Sequence, residues 1–251
     1  MLIILYAMLN LAVLQFRPFF GRVEENLKKV LEMLSYVKDG SFVLLPEMWQ
    51  CGFDYQNLKK HADATQDVLQ EVIRVSEEKK LTVIGTYPLS AKEGIYNSAI
   101  LVDKGNIAGV RHKIKLFPLY EEQKHFLPGN ENPLFEVSGV KLGILICFEL
   151  RFPELSWSLR EAKLLLVPAM WGGKRKEHLK ILSRARAIEN QCFLMLSNAW
   201  GEVGGEEYGG SSAIYNPWGD VLAFSERGDS LLQVEVDLED AQRVRNLIPL
   251  L

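Results

Sequence analysis

Cysteine is scarce in this chain. Cys51, Cys147 and Cys192 are its only three, widely spaced and odd in number, with no C-x-x-C pair. That excludes a disulfide framework and fits a reducing, cytoplasmic setting. His61, His112, His125 and His178 show no H-x-x-x-H spacing, so no metal is expected. The glycine-rich run Gly201–Gly210 has neither G-K-[ST] nor G-x-G-x-x-G, and its acids would repel phosphate, so no nucleotide cofactor is expected. It reads as a flexible loop near the substrate. Ser211-Ser212 lacks the G-x-S-x-G setting of a serine nucleophile. The net charge of −3 contains no basic excess for nucleic acid. The apolar run Met1–Leu14 is too short to span a bilayer, and it lacks a basic flank and a small-residue cleavage site, so no membrane partner is expected. Asn10–Phe16 reads better as a buried first strand. A start at Met8 would leave residues 1–7 as an N-terminal extension.

What is present is alternation. At 251 residues and 48% apolar content, the chain suits one large domain covering residues 1–251. Strands are expected at Leu11–Phe16, Ser41–Leu45, Leu81–Tyr87, Leu142–Cys147, Leu164–Pro168 and Cys192–Asn198. Helices are expected after Val23, over Thr65–Lys80, Pro153–Ala162 and Lys176–Asn190, and in a short closing piece to Asn246. Lys104-Gly105-Asn106 and Asn216–Asp220 are hairpin signals, and Leu231–Val236 is a last strand. Strands with helices between them and added hairpins imply an α/β sandwich of mixed sheets covered by helices.

Three strand ends carry groups capable of chemistry. Glu47 follows the apolar run Leu44-Leu45-Pro46. Arg111, Lys113 and Lys115 alternate along one extended segment. Cys147 ends a short apolar run and is followed by Phe148-Glu149. Strand ends are where α/β proteins usually bind ligands. Singly, the acid reads as a solvated carboxylate, the cations as a solvated face, and the thiol as packing.

Together they resemble the nitrilase (carbon–nitrogen hydrolase) superfamily. L-P-E at Glu47, H-K-I-K-L-F-P at Lys113 and C-F-E-L-R-F-P-E-L at Cys147 share its order, spacing and wording. Ser183–Gln191, Tyr208-Gly-Gly, Asn216-Pro-Trp-Gly219 and Arg245–Pro249 extend the likeness nearly end to end. The resemblance implies a four-layer-type α-β-β-α sandwich that stacks as a homodimer or higher even oligomer. It also implies a metal-free enzyme acting on a small-molecule amide.

The residue types suit that chemistry. A free thiol is only a few per cent thiolate near pH 7, so the nucleophile Cys147 needs a base, and Glu47 is the candidate. The tetrahedral oxyanion needs fixed donors; Lys113 and the backbone N–H of Phe148 are the candidates. The resemblance adds a second glutamate after the lysine that orients lysine and substrate: Glu122, with Glu121 as the alternative.

The wording around the cysteine narrows the class. Phe148 stands where nitrile-specific members usually have Trp, and the Asn-Asp of carbamoyl-amino-acid hydrolases is absent. C-F-E-L-R-F-P-E-L is similar to the C-Y-D-L-R-F-P type of omega-amidases, as are Val167–Trp171 and Arg175. Gly172 departs from the usual Pro, Leu179 from a common Trp, and Lys115 from a frequent His. Omega-amidase substrates are dicarboxylate monoamides, so Arg175 and Lys174 are candidates for the distal carboxylate and Trp171 for a pocket wall. The rival readings are a nitrilase, a carbamoyl-amide hydrolase, an acyltransferase using the same thioester, or a non-catalytic binding protein on this scaffold.

Overall fold

The structure is a computed structural model that describes residues 8–250; the expectation about residues 1–7 lies outside them. Side-chain alternation along each strand decides the layering. In β1 (Met8–Gln15), Leu11 and Val13 join a core with Phe42 and Leu44 of β2 (Phe42–Leu44), Ile84 of β3 (Thr82–Ser90) and Ala99 and Leu101 of β4 (Ile95–Asp103). Their neighbours Ala12, Leu14, Val43, Val83, Ile100 and Val102 join a different core. There they meet Val30 and Leu34 of α1 (Val23–Ser35) and Val68, Val72 and Val75 of α2 (Leu58–Glu78). One face of this sheet is thus under helices, and the other faces a second sheet.

Both sheets have six strands. The first runs β14 (Ser230–Asp237), β1, β2, β3, β4, β5 (Asn106–His112). The second runs β13 (Val221–Ser225), β12 (Ser212–Tyr215), β9 (Phe193–Asn198), β8 (Leu164–Ala169), β7 (Val140–Ile144), β6 (Phe135–Val137). Each has three parallel strands at its centre, β1-β2-β3 and β7-β8-β9, flanked by antiparallel ones. Leu142, Ile144, Leu164 and Leu166 pack in the core that contains Leu11 and Val13. On the outer face lie α3 (Pro153–Ser158) and α4 (Lys176–Asn190). A Cβ at Gly143 would come within 2.9 Å of Leu159, so this glycine lets the end of α3 close on the sheet. The result is the expected α-β-β-α sandwich. Among the described residues, no helix is long and apolar enough to cross a membrane.

Local departures from the sequence reading have physical causes. α2 starts at Leu58, not Thr65, because Leu58, His61 and Ala62 prolong its buried face. The run at Cys147 stops being strand at Ile144, and Cys147 instead opens a 3-10 turn, Cys147–Arg151. Gly201–Gly210 is not a loop. It forms most of a hairpin of β10 (Trp200–Val203) and β11 (Glu206–Gly209), turned by Gly204 and Gly205 at φ 61° and 86°. Two successive left-handed residues give the twist that closes a two-residue hairpin. The closing helix is α5 (Glu239–Leu247).

Candidate active site

The site lies past the carboxyl ends of strands from both stacked sheets. Glu47 follows β2, and its N–H donates to the carbonyl of Ala169 at the end of β8, 3.3 Å away. Its Oε2 accepts the N–H of Met170 at 3.1 Å, and its Oε1 accepts Asn97 Nδ2 at 2.9 Å. Lys113 follows β5; its N–H donates to Asn97 O at 2.8 Å, and its carbonyl accepts Gly129 N–H at 2.7 Å. The Lys113 ammonium is wholly buried and donates to Glu47 Oε1 and Glu122 Oε1, each at 2.7 Å. Two of its three N–H bonds therefore have partners among the described residues, and the third has none.

Cys147 and both carboxylates line one narrow cavity, with Phe53, Phe117, Tyr120, Phe148, Met170 and Trp171 as walls. Cys147 is held at φ +48°, a conformation disfavoured for a residue with a side chain. Met48, directly after Glu47, and Glu121, directly before Glu122, are also left-handed, at φ 45° and 53°. Three strained, non-glycine residues therefore sit in or beside this cluster of Glu47, Lys113, Glu122 and Cys147.

The clustering perturbs each group. Burial, then the neighbouring Glu47 carboxylate, push the Cys147 thiol well above its ordinary value, against the pull of Lys113. The resting side chain is thus a neutral thiol. Burial alone would lower Lys113, but Glu122 and then Glu47 overcome it and hold the lysine above its ordinary value as a cation. Two carboxylates share that one ammonium, leaving an excess negative charge in a buried place. Burial relieves it by raising Glu122 to about 7, despite Lys113. Glu122 Oε2 is buried without a hydrogen-bond partner.

Four of the sequence-derived residues, Glu47, Lys113, Glu122 and Cys147, are thus brought together, with Phe148 next in the turn. Trp171 is buried, lines the cavity and also belongs to the main core, so both readings of it hold. Arg175 lines the cavity as well. Lys174 does not; its residue is exposed.

Sequence reasoning missed Asn97, Tyr120, Arg151 and, above all, Glu149. Glu149 is fully buried and accepts from Ile146 N at 2.7 Å, Ile114 N at 2.6 Å, Lys115 N at 3.3 Å and Arg111 Nη1 at 2.7 Å. One carboxylate therefore ties the residue before Cys147 to the two residues after Lys113. Arg111 also donates to Asn132 Oδ1 at 3.0 and 2.8 Å. The alternation of Arg111, Lys113 and Lys115 is real, but the face is not solvated: Arg111 and Lys113 are buried, and Lys115 lies 4.9 Å from the Phe152 ring centre. An acid two residues after the cysteine, matched to an arginine two before the lysine, was the available signal.

The sequence comparisons name the family to which a chain of this architecture belongs. The carbon-nitrogen hydrolase family profile matches residues 10–246. The 2-oxoglutaramate amidase of Bacillus subtilis strain 168 is 35% identical over 250 residues, covering 96% of this chain and 95% of that protein. Omega-amidase YafV of Escherichia coli K12 is 28% identical over 226 residues, covering 89% and 88%. Among solved structures, XC1258 of Xanthomonas campestris, a CN-hydrolase superfamily protein, superposes with a TM-score of 0.90 at 23% identity, covering 96% and 95%. The chain belongs to the carbon–nitrogen hydrolase family. It is a hydrolase of carbon–nitrogen bonds other than peptide bonds.

Proposed function

We propose that the protein hydrolyses the ω-amide of a small dicarboxylate monoamide through a thioester on Cys147. The observation that carries this reading is a buried ammonium, fixed by two carboxylates beside a thiol, with one N–H left over. In step with attack of Sγ on the amide carbon, Glu47 takes the thiol proton, so no free thiolate is needed. The oxyanion is held by the remaining N–H of Lys113 and the backbone N–H of Phe148. On collapse the C–N bond breaks, and Glu47 returns its proton to the nitrogen, which leaves as ammonia. Glu47 next deprotonates a water that attacks the thioester; the carboxylic acid departs and Sγ is reprotonated. Glu122 orients Lys113 and accepts from the substrate amide.

The substrate class is supported by the names of the two amidase relatives and by two cavity guanidinium groups, Arg151 and Arg175. Neither has an acidic ion-pair partner among the described residues, which suits an anionic acyl chain. The small cavity suits a short one.

A substrate panel tests the reading. Ammonia should be released from dicarboxylate monoamides faster than from nitriles or carbamoyl compounds, and added hydroxylamine should divert product to the hydroxamate. Release confined to nitriles or carbamoyl compounds, or no hydroxamate at all, would overturn it.

A further inference from the structure

Glu122 is only half satisfied. Its Oε1 holds the Lys113 ammonium at 2.7 Å, while Oε2 is buried and has no hydrogen-bond partner among the described residues. The Tyr55 hydroxyl is in the same condition, buried and unpartnered. A buried polar atom left unpaired bears the full loss of its hydration. One of these atoms is an acceptor and the other carries a donor, so each can supply what the other lacks.

Packing ties Tyr55 to the piece of chain that presents Glu122. Tyr55 opens the short turn Tyr55–Asn57 that leads into α2. Its ring stacks on His125, with centres 3.9 Å apart and planes 6° from parallel, and meets Phe53 at 5.9 Å and Phe126 at 6.1 Å. His125 and Phe126 both donate their N–H to the Glu122 carbonyl, at 3.0 and 2.8 Å. The stacked pair therefore joins α2's lead-in to the turn Glu122–Lys124. The phenol also lies within reach of the buried charges. Burial raises Tyr55 above its ordinary value, Glu122 raises it further, Lys113 lowers it and Glu47 raises it. It stays a neutral phenol, with an O–H to give. The other groups that face Glu122 are Lys113 and Glu47 from the strand ends and Cys147 from its own turn. On the turn of Glu122 itself, Glu121 and Lys124 pair with each other in solvent. The second unpartnered phenol, Tyr120, answers after burial first to Glu206, so Tyr55 is the better partner for Glu122.

We propose that Tyr55 is a positioning residue for Glu122: its hydroxyl donates to Glu122 Oε2, after a small turn of either side chain or through one water, and holds that carboxylate charged and in place. The part this plays in turnover rests on the amide reading above, in which Glu122 accepts from the substrate amide. Oε2 has two lone pairs, so it accepts from the phenol and from a substrate N–H together. Tyr55 itself touches no reacting atom.

The test is Tyr55→Phe, which keeps the ring and its stack and removes only the hydroxyl. Losing one donor to a charged acceptor should move the Glu122 titration upward by about one pH unit. The first readout needs no substrate: the unfolding free energy from urea titration, measured across pH. Its Glu122-dependent decline should run about one pH unit higher in Tyr55→Phe than in wild type. In a Glu122→Gln background, Tyr55→Phe should shift that pH dependence no further, because both act on one carboxylate. The second readout is kcat/KM for a dicarboxylate monoamide, whose acidic limb should move by the same amount. Tyr55→Phe should thus be about tenfold slower at pH 5.5 and within about twofold of wild type at pH 9. An unmoved stability curve, or one that moves equally in the Glu122→Gln background, would overturn the proposal whatever the activity. A moved curve with kcat/KM lowered by one factor at both pH values would keep the contact and instead overturn the part given to Glu122 in the amide reading.

Discussion

Arg111–Glu149 and Lys113–Glu47–Glu122 are both buried charge clusters, and both take their cation from the same extended segment. They differ in balance. In the first, one carboxylate faces one guanidinium, and Glu149 accepts three backbone N–H groups as well. In the second, two carboxylates face one ammonium, Glu122 Oε2 is unpartnered, and a thiol lies alongside. A balanced and saturated cluster has nothing left to offer a substrate. An unbalanced one keeps a donor, an acceptor and a mobile proton. Burial alone therefore does not mark a reactive group; unmet valence within burial does.

Removing charge from each cluster should have opposite consequences. Glu149→Ala strands a buried guanidinium and several N–H groups, so the unfolding free energy from urea titration should fall by about 3–5 kcal/mol. Glu122→Gln should instead change stability by less than about 1 kcal/mol, because it removes an excess charge, while turnover falls on the order of 10²-fold. Equal destabilisation by both would break the contrast.

The smallest effect is on pH dependence. Glu122 is raised from 4.5 to about 7, so between those values the folded protein binds more protons than the unfolded chain. Its contribution to stability is complete below the unfolded value and is lost as pH rises through the folded one. Unfolding free energy should therefore decline between about pH 5 and 8 by on the order of 2 kcal/mol. Glu122→Gln should flatten that decline. An unchanged slope in the variant would assign it to another group.

The same contrast explains what was legible in the sequence. Periodicity located most strands and helices, because a one-sided apolar face leaves a pattern. Glu47, Lys113 and Cys147 were legible through motif wording, and Glu122 through its place in the loop. Glu149 was not: a lone acid in a turn looks solvated until Ile114, Lys115 and Ile146 are seen to surround it. The left-handed turns at Met48, Glu121 and Cys147 were equally silent, since no glycine marks them. Arg151 and Tyr120 come from separate motifs and meet only in three dimensions. The glycines at 204 and 205 read as flexibility, although their positive φ values build a hairpin.

The central claim is that the unbalanced cluster serves one thiol. Ammonia release by Cys147→Ala, measured beside wild type on the same dicarboxylate monoamide, tests it most directly. With folding verified by its melting transition, the variant is expected to lose at least about 10⁴-fold in turnover. Turnover within about tenfold of wild type would contradict the account, because the carboxylates and lysine would then be acting without the nucleophile they surround.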